Sequence, residues 1–370
     1  MGKSDSVYPK NRRINRLDTS LKIFFMNAVR VAIRNPGQVF TFLRTIIWLM
    51  RSARLRANWM RRGIRVPPII LFSVTYQCNL ECKGCYARSF HKPSDQELTG
   101  DELGRIIAEA SELGVSFFVL TGGEPLMRPE IFQITEKFPE MIFILFTNGS
   151  LIENETIDKF KKQKNIIPLL SLEGDPEDTD QRRGEGTHTH VESVMGDLKK
   201  EGVFFGTSIT LTNFNFETVL NDAYIQAFID RGCKFLLFLD YTPTQAGTED
   251  WSLTEEQKDR VPSIMEDYRK KFRALFIAVP WDEESVGGCL SSGRGFIHIN
   301  AQGAVEPCPF APYSDANLRE VSLKEALKSK LLESIREMPE LSKYTGSGCA
   351  LWKNRDKVES LLGNERKKAK

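Results

Sequence analysis

From residue 67 onward the chain alternates short apolar runs with longer polar segments. The runs are "IILFSVT" (69–75), "SFFVLT" (116–121), "IFILFT" (142–147), "IIPLLSL" (166–172), "FFGTSITLT" (204–212) and "KFLLFLD" (234–240). They are too short for helices and apolar at successive positions, the pattern of parallel strands buried on both faces. Segments near 99–113, 129–138, 153–163, 190–201 and 216–231 carry the helical period between them. Six βα repeats joined by right-handed crossovers curl into a full or partial barrel, with chemistry in the loops at the strand C-termini. A helix at 254–274 then leads to a Gly-, Pro- and Cys-rich section with a hairpin pattern, "GFIHINAQGAVEP".

Residues 1–66 follow a different rule. Two helix-like segments, 17–35 and 38–62, are broken at Asn35-Pro36-Gly37. In the second, Val39, Leu43, Ile46, Ile47, Met50, Ala53 and Ala57 recur at helical spacing among arginines. No charge-free apolar run approaches the ~18–20 residues needed to span a bilayer. Two arrangements remain: a basic amphipathic arm lying in a membrane interface, or a helix pair packed on the rest of the chain.

Charge sharpens the contrast. Residues 1–66 carry 15 Lys+Arg and 2 Asp+Glu, a net +13, and the remaining 304 residues carry 36 and 47, a net −11. A basic arm on an acidic body suggests a partner for the arm, lipid before nucleic acid. Overall, 41% hydrophobic and 27% charged residues are ordinary for a folded protein. The start, "MGKSDS", has no secretory signal pattern; it matches the short myristoylation pattern, which carries little weight alone. Seven cysteines without an export signal point to metal or cofactor chemistry in a reducing compartment, not to disulfides.

Three of the cysteines, Cys78, Cys82 and Cys85, fall in "YQCNLECKGCYAR" right after the first strand. Three thiolates there suit a cubane iron–sulfur cluster with one iron left open. They also suit a zinc site with His91 as fourth ligand. "LTGGEP" follows the second strand: Gly122 and Gly123 let backbone approach a ligand, and Glu124 adds an acceptor suited to an ammonium group. A second group lies late in the chain. Thirteen residues separate Cys289 from Gly303, four separate Gly303 from Cys308, and Cys349 stands in "GSGCALW". Cys233 reads as a core thiol, His298 as structural, and His188 and His190 as solvated loop residues.

Taken together, Cys-x3-Cys-x2-Cys and Gly-Gly-Glu-Pro resemble the radical S-adenosylmethionine (radical SAM) enzymes over roughly residues 67–350. The resemblance implies an α/β fold: a partial (β/α)6 barrel with a basic helical arm and a small Cys-containing twitch-like domain. It divides the chain into the arm (1–66), the barrel (67–250), a connecting helix and strand (251–280), a SPASM/twitch-like auxiliary cluster domain (281–352) and a tail (353–370). It implies a [4Fe-4S] cluster on Cys78, Cys82 and Cys85 whose open iron is chelated by S-adenosyl-L-methionine. Gly122, Gly123, Glu124, Asn148, Ser171, Glu173 and Arg183 would contact that cofactor, with Arg183 favoured over Arg182 for its carboxylate. Cys289, Cys308 and Cys349 would hold a second, auxiliary [4Fe-4S] cluster, its fourth ligand unassigned. Gly84 departs from the family, in which an aromatic residue often precedes the last cysteine; here Tyr86 follows it.

The implied chemistry is reductive cleavage of the sulfonium to a 5′-deoxyadenosyl radical that takes hydrogen from an unactivated C–H bond. An electron donor such as ferredoxin or flavodoxin would supply the electron. Three functions compete: an enzyme acting on a membrane lipid chain, a peptide- or protein-modifying enzyme, and a non-enzymatic electron-transfer protein. The basic arm favours the first, with the protein cytoplasmic and peripheral on the inner face of the membrane.

Overall fold

The protein is described by a computed structural model covering residues 10–90, 96–343 and 349–362, with side chains from residue 17. The myristoylation pattern, His91 and the last residues of the basic tail lie outside the described residues.

Nine strands form one sheet: β1 (Ile69–Thr75), β2 (Phe117–Gly122), β3 (Ile142–Thr147), β4 (Ile166–Leu172), β5 (Gly206–Leu211), β6 (Phe235–Asp240), β7 (Leu275–Val279), β8 (Phe296–Ile299) and β9 (Val305–Glu306). Their order is β7-β6-β5-β4-β3-β2-β1-β8-β9. Every neighbouring pair is parallel except β8–β9. The first six strands lie where the apolar runs place them. β7 comes from the connecting segment and extends the sheet past β6, while the hairpin pattern becomes β8 and β9, added beside β1. The sheet is not closed: β7 and β9 remain edges, so the barrel is partial.

Period-two alternation divides the strand side chains. Ile70, Phe72, Val74, Phe118, Leu120, Phe143 and Leu145 face outward into a core shared with the crossover helices. Phe117, Ile142, Ile144, Ile167, Leu169, Phe235 and Leu275 face a second core, completed by the N-terminal helices α1 (Lys10–Val31) and α2 (Pro36–Arg61). Phe25 of α1 meets Phe42 at 6.0 Å and Phe117 at 6.1 Å, and Phe42 meets Phe204 at 5.1 Å. Of the two arrangements open to the arm, the structure adopts the packed one: it seals the N-terminal end of the barrel.

α2 packs with unexpected polarity. Its buried positions include Gln38, Thr41, Thr45, Ser52 and Arg56. Gln38 Nε2 donates to the Lys164 carbonyl at 3.0 Å, Thr45 Oγ1 to that of Glu140 at 3.3 Å, and Arg44 to that of Pro139. Asn35, which caps α2 by accepting from the Gln38 N–H, donates to the Gly202 carbonyl at 2.7 Å. These carbonyls belong to loops that enter the strands, where backbone acceptors lack ladder partners. Arg56 bonds the Gly114 carbonyl, Ser116 Oγ at 2.7 Å and Asp18 of α1. With polar side chains turned inward, the apolar stripe Phe40, Leu43, Ile47 and Met50 is exposed, and so are Ile23 and Met26 of α1 and Ile33 in the turn after it. No described helix is long and apolar enough to cross a membrane.

Two local differences bear on the site. The segment "PEDTDQRR" is a helix, Pro176–Arg183, begun by Asp175, whose side chain accepts from the Asp178 N–H. Region 216–231 divides into Phe216–Val219 and Asp222–Asp230 because Asn221 starts a new helix.

Arg56 is buried and depends on Asp18 for charge balance. Asp18→Ala is expected to destabilise the protein by about 3 kcal/mol, the lower end for breaking a buried pair, measurable by denaturant unfolding.

Candidate active site

The first cysteine loop leaves β1 and is fastened by three other strand ends. Lys83 N–H donates to the Arg182 carbonyl at 2.9 Å, Gly84 N–H to Gln245 Oε1 at 2.9 Å, and Asn148 Nδ2 to Asn79 Oδ1 at 2.9 Å. Cys78 is exposed and Cys82 and Cys85 are half-buried, all three as free thiols. Burial raises the Cys78 and Cys82 thiols above the ordinary range, with Arg183 and Arg182 pulling Cys82 back. Ligation would therefore release protons from them.

Gly84 lies at φ 65°, and a Cβ there would stand 2.4 Å from Tyr241 Oη. The space an aromatic side chain at 84 would take is filled by Tyr241, from the loop after β6. Tyr86 turns the other way, to Thr121 Oγ1 at 3.3 Å and the Phe310 ring at 5.2 Å.

Gly122 and Gly123 run against the base of this loop. Gly123 N–H bonds the Thr75 carbonyl and Glu124 N–H that of Gln77, each at 2.8 Å. A Cβ at Gly122 would stand 2.0 Å from the Thr75 oxygen, and one at Gly123 2.1 Å from that of Gln77. The Glu124 carboxylate is less free than its sequence context suggests. It accepts from Thr147 Oγ1 (2.8 Å), Asn148 N–H (2.7 Å) and Leu126 N–H (3.0 Å), tying the glycine loop to the end of β3. Burial raises its pKa despite these donors. Asn148 likewise serves the cysteine loop through Asn79.

Arg182 and Arg183 end the helix Pro176–Arg183, and both reach Glu173 Oε1: Arg182 at 2.6 Å and Arg183 with hydrogen-bond geometry. Both arginines line the central cavity, together with Ser171, while Glu173 stands behind them and its Oε2 is buried without a hydrogen-bond partner. Burial opposes the Arg183 charge, but Glu173 and Cys82 keep its pKa raised.

The late cysteines also come together. Cys308 and Cys349 lie within hydrogen-bond reach of each other, and Cys289 is close to Cys349. Burial, with Glu283 and Cys349 beside it, pushes the Cys289 thiol up to about 12. Cys233, by contrast, is sealed in the core with its thiol on the Phe235 carbonyl.

A cavity of about 1640 Å³ joins both cysteine groups. Its wall is the inward row of the strands, including Leu71, Val119, Phe146, Leu239 and Ile277, and Leu21 and Phe24 of α1. Ile23 lines it while 53% exposed, so the cavity reaches the surface beside α1; Arg30 and Arg273 also line it. Asp240, at the end of β6, lines it with both carboxylate oxygens buried and without hydrogen-bond partners. Burial pushes its pKa up to about 7. An acid at the C-terminal end of the strand "KFLLFLD" could have been singled out from sequence.

The three described histidines stand apart from the cavity. His188 and His190 belong to a helix, Thr187–Lys200, rather than a loop. His188 is buried and His190 Nε2 meets the Gly149 carbonyl at 3.2 Å. His298 bridges Ser73 Oγ (2.8 Å) and Glu306 Oε2 (2.7 Å), holding β8 to β1. This Ser–His–Glu line is buried, so its serine has no access to a substrate.

These features fit iron–sulfur and SAM chemistry. Among the described residues no three His, Cys, Asp or Glu side chains converge closely enough for a single metal ion. A cubane places each thiolate on a different iron. Both cysteine groups are free thiols facing one cavity, and the first lies beside a glycine loop and two guanidinium groups.

Residues 72–239 match the Radical SAM superfamily. Similar proteins include an AdoMet-dependent heme synthase of Methanosarcina barkeri, 26% identical over 310 residues, 76% of this chain and 88% of the relative. A Fe-coproporphyrin III synthase of the same organism is 26% identical over 357 residues, 85% of this chain and 89% of the relative. The fold is shared with Streptococcus suis SuiB, solved bound to S-adenosylmethionine, at a TM-score of 0.64 and 18% identity over 79% of this chain and 73% of SuiB. The matched residues run from the strand that launches the cysteine loop to the last strand of the six repeats, so the barrel of this enzyme is similar to the Radical SAM superfamily, which works with a [4Fe-4S] cluster and S-adenosylmethionine.

Proposed function

We propose that this enzyme takes hydrogen from the hydrocarbon part of a membrane lipid that enters the barrel beside α1. The observation that carries the proposal is the apolar cavity opening at Ile23 and Arg30 of α1, together with the exposed row Phe40, Leu43, Ile47 and Met50 of α2. Lys22, Arg34, Arg51 and Arg54 of the same arm are exposed as well. Apolar side chains among basic ones suit an anionic lipid surface, each basic residue contributing ~1 kcal/mol. The enzyme would then sit peripherally on the inner leaflet, with a soluble reductant such as ferredoxin or flavodoxin.

Within this reading, Cys78, Cys82 and Cys85 hold the first cluster. Gly122, Gly123, Glu124, Asn148, Ser171, Glu173 and Arg183 line or support the S-adenosylmethionine site, Arg182 sharing Arg183's place on Glu173. Cys289, Cys308 and Cys349 hold an auxiliary cluster. Bound there, cluster and cofactor together supply a carbon-centred radical able to attack an unactivated C–H bond. The chain's own part is positioning and exclusion. Thr147 and the Asn148 N–H fix Glu124 and thereby the glycine loop. The paired guanidinium groups are placed for a carboxylate, and the apolar strand row keeps water out of the lumen.

A tetrapyrrole is the second reading, favoured by the names of the two Methanosarcina relatives. The same apolar lumen with Arg30 and Arg273 at its mouth would suit a macrocycle bearing carboxylates. A peptide is the third: SuiB has also been solved bound to its precursor peptide.

Anaerobic 5′-deoxyadenosine formation, with reductant and cofactor, separates the three. Stimulation by anionic lipid extract with a mass-shifted lipid supports the proposal. Stimulation only by an iron porphyrin carrying carboxylates, or only by peptide, overturns it. Leu43→Glu with Ile47→Glu is expected to weaken co-sedimentation with anionic liposomes at least tenfold. The unfolding midpoint should not move, because both side chains are exposed. Cys78→Ala should abolish 5′-deoxyadenosine formation altogether, while Cys289→Ala with Cys308→Ala and Cys349→Ala should lower iron from about eight to about four per chain.

A further inference from the structure

Most of the cations that line the central cavity are paired with acids. Arg88 meets Glu81 at 3.2 Å, Arg269 meets Asp282 at 2.6 Å, Lys270 meets Glu266 at 2.7 Å, and Lys271 meets Asp222. Arg182 and Arg183 share Glu173. Arg30 and Arg273 line the same cavity and have no acidic partner among the described residues. They stand together: Arg273 Nη2 donates to the Arg30 backbone carbonyl at 3.1 Å. That bond serves a carbonyl in the last turn of α1 and uses one of the five N–H donors of the guanidinium. Ile23, Asn27 and Arg30 all line the cavity at helical spacing, so one face of α1 leads from apolar wall to cation.

The neighbours of this pair add positive charge. Lys234 immediately precedes β6, Arg273 precedes β7 by two residues, and the two strands are paired. Burial lowers the Lys234 pKa; Arg273, Lys199 and Arg34 lower it further, while Cys233 opposes the fall. An excess of cations at an apolar opening attracts an anion. Guanidinium groups then bind phosphate or carboxylate through charge-assisted hydrogen bonds. The pair also lies far from the cysteine loop. Arg273 is at the N-terminal end of β7, whereas the loop leaves the C-terminal end of β1, and the strands from β1 to β7 are all parallel. Strands of this length put roughly 20 Å between their two ends.

We propose that Arg30 and Arg273 hold the anionic end of the substrate, a phosphate or a carboxylate, at the foot of the barrel. Its apolar part then runs up the lumen toward the cysteine loop. The proposal rests on the reading that a lipid enters beside α1, and it assigns the group that fixes that lipid's register.

The test is equilibrium binding of hexadecyl phosphate, hexadecanoate and hexadecanol, each as the monomer, to the anaerobically reconstituted full chain. Wild type should bind at least one of the two anions about tenfold more tightly than the alcohol, and which one identifies the headgroup. Arg30→Gln with Arg273→Gln should remove that preference and leave hexadecanol binding unchanged. Arg30→Lys with Arg273→Lys should keep part of it, because the charge remains while the planar fork is lost. Lys162→Gln with Lys328→Gln removes the same charge from exposed positions outside the cavity and should change nothing. The unfolding midpoint checks that each variant folds; Arg30 and Arg273 are exposed, so it should not move. Alkyl chains that bind with no preference for an anion overturn the proposal, as does a preference that survives Arg30→Gln with Arg273→Gln or falls equally in the lysine control. The lipid reading fails separately. If no alkyl probe binds, but an iron porphyrin bearing carboxylates does so with the same dependence on both arginines, the anion site stands and the lumen holds a macrocycle.

Discussion

A parallel sheet that stops short of closure has a lumen that something else must seal. Here the two ends of the lumen are treated differently. At the strand C-termini the loops carry cysteines, glycines and arginines. At the N-terminal end α1 and α2 close the space, with Phe25 and Phe42 joining Phe117 and Phe204 in one apolar cluster. The lumen between is apolar and long, and it meets the surface along α1 because the β7 edge has no further strand beside it.

Sealing that end has a cost in backbone polarity. Loops entering parallel strands present carbonyls that the ladder does not use, and a purely apolar plug would leave them without donors. α2 answers with Gln38, Thr45, Arg44 and Arg56, and Asn35 at its cap does the same. The consequence is a helix whose inward face mixes polar residues with Phe42, Trp48 and Leu49, leaving other apolar residues outside. Exposed apolar residues on α1 and α2 are the counterpart of that inward polarity, and the proposed lipid contact would use them.

The active site follows a similar economy. Glu124 and Asn148 look from their sequence context like direct cofactor contacts, yet each is engaged in fastening one loop to the next. Tyr241 occupies space that Gly84 vacates, from a loop more than 150 residues away in sequence. Arg182 and Arg183, adjacent on one helical turn, converge on a single carboxylate, Glu173.

Local pattern determined much of this protein. The six strands, the crossover helices and both cysteine groups were legible because apolar runs, helical period and thiol spacing are properties of neighbouring residues. The helix Pro176–Arg183 was missed for the matching reason: its composition is nearly all polar, so no apolar period marks it, and only its start signals, the Asp175 cap, Pro176 and the acids Glu177 and Asp178, announce it. Tertiary structure decided what neighbours cannot encode. It set Gln38, Thr45 and Arg56 of α2 inward beside Phe42 and Leu49, since only the assembled barrel bottom has the carbonyls that draw polar side chains there. It added β7 and β8 to the two sides of one sheet. It set Asp240 in the cavity wall with both oxygens unpartnered, because a carboxylate without a motif acquires its chemistry only from what the fold sets beside it.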